Sequence, residues 1–103
     1  MIALYHFKDD KSDKIWGWTK TSFGVLSFWG RTRGSLSFKR HEHLWDAEDQ
    51  ATKKHHKGYK LVTNYRNEIG SDGSWTISPN ALELLPEDWK NQLALANLGM
   101  TKF

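Results

Sequence analysis

The stretch Gly24-Val25-Leu26-Ser27-Phe28-Trp29-Gly30-Arg31 decides how the first half of this chain folds. Its aromatic and β-branched residues, interrupted by single small ones, predict a β-strand. Side chains alternate between the two faces of a strand, so one face carries Val25, Ser27 and Trp29 and the other carries Leu26, Phe28 and Gly30. We expect Leu26 and Phe28 to lie in the core, which turns Trp29 toward the other side of the sheet.

The flanking segments extend this strand into an antiparallel sheet. Four strands joined by short polar breaks are predicted, near residues 2–7, 15–20, 24–30 and 35–40. A helix over residues 46–57 follows, with Asp46 as its N-cap and Gly58 as its stop. Residues 59–62 predict a last strand, and the fold class is therefore α+β.

The predicted helix has a thin apolar stripe, made by Leu44, Ala47 and Ala51. Such a helix has to pack closely on the sheet through small side chains. Beyond the last strand, the polar residues 64–78 predict an exposed loop.

A second helical region starts at Ser78-Pro79 and starts again at Pro86. Its residues Trp89, Leu93 and Ala96 share a face, and Gly99 ends it. We expect residues 1–65 to form a domain and residues 66–103 to form a C-terminal loop and helical extension packed on the same domain.

Composition is typical of a small soluble protein. The 103 residues suit one compact domain, and the lack of cysteine excludes disulfides and thiolate zinc sites. No apolar run reaches the roughly 18 residues that span a bilayer, and the first ten residues lack a signal-peptide pattern. We expect a cytoplasmic monomer that binds no membrane, metal or cofactor.

The formal net charge of +3 is unevenly distributed along the chain. Residues 1–60 carry 12 Lys and Arg against 7 Asp and Glu, whereas residues 61–103 carry 3 against 5. The first part therefore has a net charge of +5, which favours a polyanionic partner such as nucleic acid.

Four segments together resemble the WGR domain, a module of several DNA-damage-responsive poly(ADP-ribose) polymerases and of many bacterial proteins. In order, they are Ser12-Asp13-Lys14-Ile15-Trp16, Trp29-Gly30-Arg31, the acid-led helix with Ala47 and Ala51, and Lys57-Gly58-Tyr59. The resemblance covers roughly residues 1–62. It implies a WGR-like, strongly twisted antiparallel sheet with one helix packed across it, to which this chain adds a C-terminal helical tail.

The resemblance also implies a DNA-binding surface without catalysis. In the polymerases, the tryptophan of the motif packs on the sugar at a DNA end, and the arginine lies between DNA and neighbouring domains. The residues that this assigns to nucleic-acid binding are Trp29, Gly30 and Arg31, together with the nearby cations Lys14, Lys20, Arg33, Lys39 and Arg40. The chain departs from the family at Arg33, where glycine is frequent, and at Asp13, where an asparagine contacts DNA.

The residue types suit this chemistry independently of the family. An exposed indole stacks on a sugar or base for about 1–3 kcal/mol, and a guanidinium binds phosphate through two parallel hydrogen bonds. Gly30, between Trp29 and Arg31, permits a close approach of the backbone.

Two other functions remain open from the sequence. The first is a protein–protein adaptor that binds its partner through Arg31 or the C-terminal helix. The second is a metal-dependent nuclease built on the histidine-rich segments, with His41, Glu42, His43, His55 and His56. No phosphate-binding glycine loop or nucleophile motif is present, which favours the non-catalytic interpretations.

Other aromatic and basic residues have simpler explanations. We expect the remaining tryptophans to pack in the interior, namely Trp16, Trp18, Trp45, Trp75 and Trp89. The basic run Lys53-Lys54-His55-His56-Lys57 is typical of a solvated helix end that favours the helix dipole, and its alternative is a phosphate-binding stripe.

Overall fold

The computed structural model describes residues 2–21, 24–65 and 79–97, and its centre is a five-stranded antiparallel sheet. The strands are β1 (Ile2–Lys8), β2 (Asp13–Thr21), β3 (Gly24–Arg31), β4 (Ser37–His41) and β5 (Lys60–Tyr65). They lie in the order β4-β3-β2-β1-β5, so the first four form a meander and β5 returns to pair with β1 at the opposite edge.

Three helices complete the described structure: α1 (Leu44–His56), α2 (Pro79–Leu82) and α3 (Trp89–Asn97). The long helix α1 connects β4, at one edge of the sheet, with β5, at the other edge. The α+β class and the antiparallel sheet predicted from the sequence are confirmed. No helix in the described part of the chain has the length and apolar character that crossing a membrane requires.

The face of the sheet beneath α1 carries aromatic side chains and receives small ones from the helix. This core consists of Ala3, Trp16, Trp18, Val25, Ala47, Ala51 and Tyr59. Ala47 is fully buried, and the predicted thin stripe of α1 allows its backbone to approach the two sheet tryptophans closely.

The opposite face of the sheet packs against α2 and α3. Its core joins Ile2, Leu4, Ile15, Leu26, Phe28, Leu36 and Phe38 of the sheet side with Ala81, Leu85, Trp89, Leu93 and Ala96 of the C-terminal segment. Hydrogen bonds reinforce this packing, because the Arg33 amide donates to the Leu84 carbonyl (2.8 Å) and the Leu36 amide donates to Gln92 Oε1 (2.9 Å). The C-terminal helices therefore form a second layer on the sheet.

The start of α1 differs from the sequence prediction. The N-cap position is His43, no side chain caps the helix there, and Asp46 lies inside the first turn, so the prediction of Asp46 as N-cap is wrong. The helix therefore starts three residues earlier in the chain than a cap at Asp46 predicts, and the His43 ring stacks on the Trp45 ring with centroids 4.0 Å apart. The predicted stop is confirmed, since Gly58 follows the helix with a φ of +104°.

The end of β5 and the start of α3 also differ from the boundaries predicted from the sequence. Strand β5 runs to Tyr65 and so includes residues 64 and 65, which the polar composition assigned to a loop; pairing with β1 outweighs that composition. Helix α3 begins at Trp89, three residues after Pro86. The rest of the predicted loop, with Trp75 and Ser78, lies outside the described residues, as does Gly99.

Candidate functional site

Trp29 lies at the surface, beside the helix-covered core. It is directly opposite Trp16 in the register of β2 and β3, yet Trp16 is buried and Trp29 is 38% exposed. A groove of about 320 Å³ opens next to it, between the sheet and α1. The groove is lined by Trp16, Trp29, Lys39, Gln50, Lys53, Lys54 and Lys57.

Four lysines from two elements converge on this groove. Lys39 belongs to β4, and the other three come from the last turn of α1 and its C-cap, namely Lys53, Lys54 and Lys57. Cations are favourable there because the carbonyl end of a helix is partly negative. Asp49 forms an exposed ion pair with Lys53 (3.3 Å), so the other lysines carry most of the excess positive charge.

The lysines are close enough to perturb one another. The pKa of Lys54 is lowered from its usual 10.5, first by burial and then by the charges of Lys57 and Lys14. Its ammonium lies 5.1 Å from the centre of the Tyr59 ring, and that of Lys14 lies 5.2 Å from the centre of the Phe7 ring. Aromatic faces thus hold cations whose mutual repulsion a bound anion would relieve.

Arg31 and Lys14 extend the basic surface beyond the groove. They are opposite each other in the register of β3 and β2, on the same face as Trp29 and Trp16, and both are exposed. Arg31 is two residues from Trp29, about 7 Å along the strand. The structure thus brings together Trp29, Arg31, Lys14 and Lys39 of the predicted site.

Gly30 faces the opposite side of the sheet from Trp29 and Arg31. A Cβ atom added there would lie 2.6 Å from the carbonyl oxygen of Ser35, closer than such contacts tolerate. The backbone that approaches Gly30 therefore belongs to the connection between β3 and β4. Packing of this connection explains the glycine without any ligand.

The remaining predicted cations lie elsewhere. Lys20 shares the face of Trp29 but is four residues beyond Trp16 on β2, about 13 Å away. Arg33 donates from Nε to the carbonyl oxygen of Glu83, and Arg40 donates from a terminal nitrogen to the carbonyl oxygen of Ala96 (3.3 Å). Arg33 and Arg40 thus contact the C-terminal segment.

The carboxylate of Asp13 is directed away from the groove. In the register it precedes Lys14 and so lies on the opposite face of β2. Its Oδ1 accepts a hydrogen bond from the Thr32 hydroxyl (2.6 Å) and lies 2.6 Å from His6 Nε2. The bond from Thr32, followed by that from His6, lowers the pKa of Asp13, so it stays ionised without facing Trp29.

The histidines are distributed over separate environments. His41 is buried, with Nε2 3.0 Å from the Ser27 hydroxyl, and its pKa is lowered, mainly by burial. His43 stacks on Trp45, while His55 and His56 lie at the other end of α1, about 18 Å along the helix. Among residues 2–21, 24–65 and 79–97, no three His, Cys, Asp or Glu side chains are grouped as a metal site requires.

From the sequence, a contribution of α1 to the site is only the less favoured alternative, a phosphate-binding stripe beside the interpretation as a solvated helix end. The structure brings Lys53, Lys54 and Lys57 to the groove, because residues spaced by three or four share a helix face. The prediction that Trp45 packs in the interior is wrong, because this residue is 63% exposed. It is rotated by about 100° from Leu44, off the stripe that contacts the sheet.

No protein-family model matches the chain, and neither a curated protein nor a solved structure matches it. The site itself offers a partly exposed indole, the amide of Gln50 and four ammonium groups in one groove. Such a combination suits a ligand that carries both flat rings or sugars and closely spaced negative charges.

Proposed function

We propose that this chain is a non-catalytic nucleic-acid-binding module of the WGR type. The observation that carries the proposal is the groove in which the exposed Trp29 lies beside Lys39, Lys53, Lys54 and Lys57. Trp29 stacks on a sugar or base, and the lysines contact the phosphates on either side of it. DNA is the expected ligand.

Arg31 and Lys14 continue this surface along the sheet, beyond Trp29. Their positions on the same face as Trp29 make six cations available along one side of the sheet and the end of α1. If all six contact phosphates of duplex DNA, the logarithm of affinity falls with the logarithm of salt concentration with a slope of about −5.

The backbone conformation of Arg33 supports the WGR assignment. Its φ is +64°, in the left-handed region that favours glycine, and glycine is frequent at this position in the family. The side chain has a different task here, since it contacts the carbonyl of Glu83 in the C-terminal layer.

The proposal is tested by fluorescence anisotropy with labelled duplex DNA, single-stranded DNA and duplex RNA between about 50 and 200 mM salt. Trp29→Ala is expected to weaken binding by about 1–3 kcal/mol, roughly five- to 150-fold. Trp45→Ala removes another exposed indole outside the groove and should leave affinity unchanged. Equal losses in the two variants, or no binding at low salt, would refute the proposal and favour the adaptor alternative.

A matched pair of lysine variants tests the phosphate contacts. Lys57→Ala removes a groove lysine, whereas Lys60→Ala removes an exposed lysine of β5 outside the groove. Each true phosphate contact that is lost should reduce the salt slope by about 1 on every sequence. We expect this reduction for Lys57→Ala and not for Lys60→Ala.

A further inference from the structure

A second concave site lies at the end of the sheet next to the groove. It is formed by the end of β1, the loop that follows and the start of β2, together with the end of β3, its turn and residues 83–84. Its volume is about 750 Å³, within the range of small-ligand sites. Lys14 and Arg31 line the side of this cleft that is nearer to Trp29.

The cleft is strongly basic. Five cationic side chains from separate segments line it: Lys8, Lys11, Lys14, Arg31 and Arg33. Two carboxylates, Asp13 and Glu83, also line it, which leaves a net charge of +3 with His6 neutral. Like charges that line a concave surface produce a higher local potential than the same charges on a convex one.

Several backbone and side-chain polar groups of the walls bind one another, which leaves mainly the cationic side chains to contact a ligand. The amide of Thr32 donates to the Asp13 carbonyl (3.1 Å), and the amide of Arg33 donates to Leu84. The Asp13 carboxylate holds the Thr32 hydroxyl and His6 together, so it positions the walls. A ligand therefore meets ammonium and guanidinium groups, which favour an anion.

We propose that this cleft binds a phosphate group. Lysine ammonium groups and the guanidinium of Arg31 are the side chains that bind phosphate oxygens best, the arginine through two parallel hydrogen bonds. The phosphate belongs either to the backbone of a nucleic acid or to a small soluble phosphate compound. Phosphate binding in this cleft does not depend on which ligand binds beside Trp29.

Pyrophosphate is the probe for the first experiment, a titration followed by amide chemical shifts of the ¹⁵N-labelled full chain. We expect the shifts to be concentrated at residues 8–14 and 31–34. Shifts spread evenly over all lysine-bearing surfaces, or centred on residues 53–57, would overturn the proposal. Trp29→Ala should leave the pyrophosphate affinity unchanged, which separates this site from the groove.

Charge reversal provides the second test. The double variant Lys8→Glu, Lys11→Glu changes two exposed side chains and should weaken pyrophosphate binding at least about tenfold. Lys60→Glu, an exposed reversal outside the cleft, should weaken it far less. The double variant makes two charge reversals and Lys60→Glu makes one. A free-energy loss in the double variant no larger than twice that in Lys60→Glu would therefore show a general charge effect and contradict a site.

The same variants identify the source of the phosphate. If the double variant also weakens duplex DNA binding by more than twice the free energy lost in Lys60→Glu, the cleft takes a phosphate of the nucleic-acid backbone. If it loses pyrophosphate but keeps its DNA affinity, the ligand is a small soluble phosphate compound. Loss of DNA binding in Trp29→Ala alone bears on the groove and leaves the cleft intact.

Discussion

Trp16 and Trp29 are directly opposite each other on β2 and β3, and they differ in burial because α1 covers only the first of them. Trp16 belongs to the core with Ala47 and Ala51, whereas Trp29 is at the margin of the helix. One indole therefore holds α1 on the sheet and its neighbour is available to a ligand.

We predict that substitution of these two tryptophans separates stability from binding. Trp16→Ala should lower the free energy of unfolding by about 3–5 kcal/mol because it leaves a cavity under α1. Trp29→Ala should lower it by less than half of that and act mainly on nucleic-acid affinity. Urea denaturation and anisotropy on both variants measure the two effects, and similar stability losses would contradict this division.

The pKa of Lys54 should report on the ligand. Burial and the charges of Lys57 and Lys14 lower it in the free protein, and nearby phosphates favour the charged form, so DNA binding should raise it. NMR titration of the lysine side chain, with and without DNA, measures this change. Lys57→Ala should raise the same pKa in the free protein by removing a like charge, which provides a calibration.

Stability should decrease in mild acid because of His41. Its pKa in the folded protein is below the usual 6.5, chiefly through burial, with Lys39 adding to the effect and Asp46 opposing it. Well above pH 6.5 the ring is neutral in both states. As the pH falls through 6.5, the unfolded chain takes up the proton more readily than the folded protein, so folding becomes less favourable. The slope is at most about 1.4 kcal/mol per pH unit.

Urea denaturation between about pH 5 and 8 measures the contribution of His41. His41→Gln keeps a polar group near the Ser27 hydroxyl and removes the titrating ring, so its profile should be flatter than that of the unaltered protein. Identical profiles for the two proteins would assign the pH dependence to other groups.

Arg33 combines an unfavourable backbone conformation with a useful side-chain contact. Arg33→Ala loses the hydrogen bond to the Glu83 carbonyl and keeps a Cβ atom at a φ of +64°. Arg33→Gly loses the same bond but relieves the backbone, so it should be more stable than the alanine variant by about 1–2 kcal/mol. Thermal denaturation of both variants tests this, and an alanine variant of equal or greater stability would be inconsistent with it.

The C-terminal helices should contribute to the stability of the whole fold. Leu93 is buried against the face of the sheet that carries Leu26 and Phe28. Leu93→Ala is expected to lower the free energy of unfolding by about 2–5 kcal/mol, whereas Leu95→Ala, at an exposed position of the same helix, should have a small effect. Unfolding followed by tryptophan fluorescence compares the two variants.

The sequence predicts much of the sheet because alternation is a local property. The two faces of β3 follow from the pattern around Phe28 alone, and the glycine after α1 predicts where the helix ends. The start of α1 could not be predicted in the same way. Asp46 has the chemistry of a cap, but the first turn starts three residues earlier, where Ala47 packs on the sheet and His43 stacks on Trp45.

Strand alternation also predicts the part of the candidate site that lies on the sheet. Trp29, Lys39, Arg31 and Lys14 lie on one local face, which strand alternation predicts. The α1 lysines reach the same groove only because the helix crosses the sheet, a long-range arrangement that local patterns do not contain. Arg33 and Arg40 have the right charge, but their contacts with the C-terminal layer have no signal in the motif.

The glycine between Trp29 and Arg31 has a consequence for protein engineering. Because Gly30 faces the opposite layer, inserting or deleting one residue within β3 would exchange the faces, turning the indole toward the layer of α2 and α3 and Phe28 toward the side of α1. A Trp-Gly-Arg tripeptide grafted onto another sheet must therefore be moved in steps of two residues. The central glycine is required only where a neighbouring carbonyl approaches as closely as that of Ser35 does here.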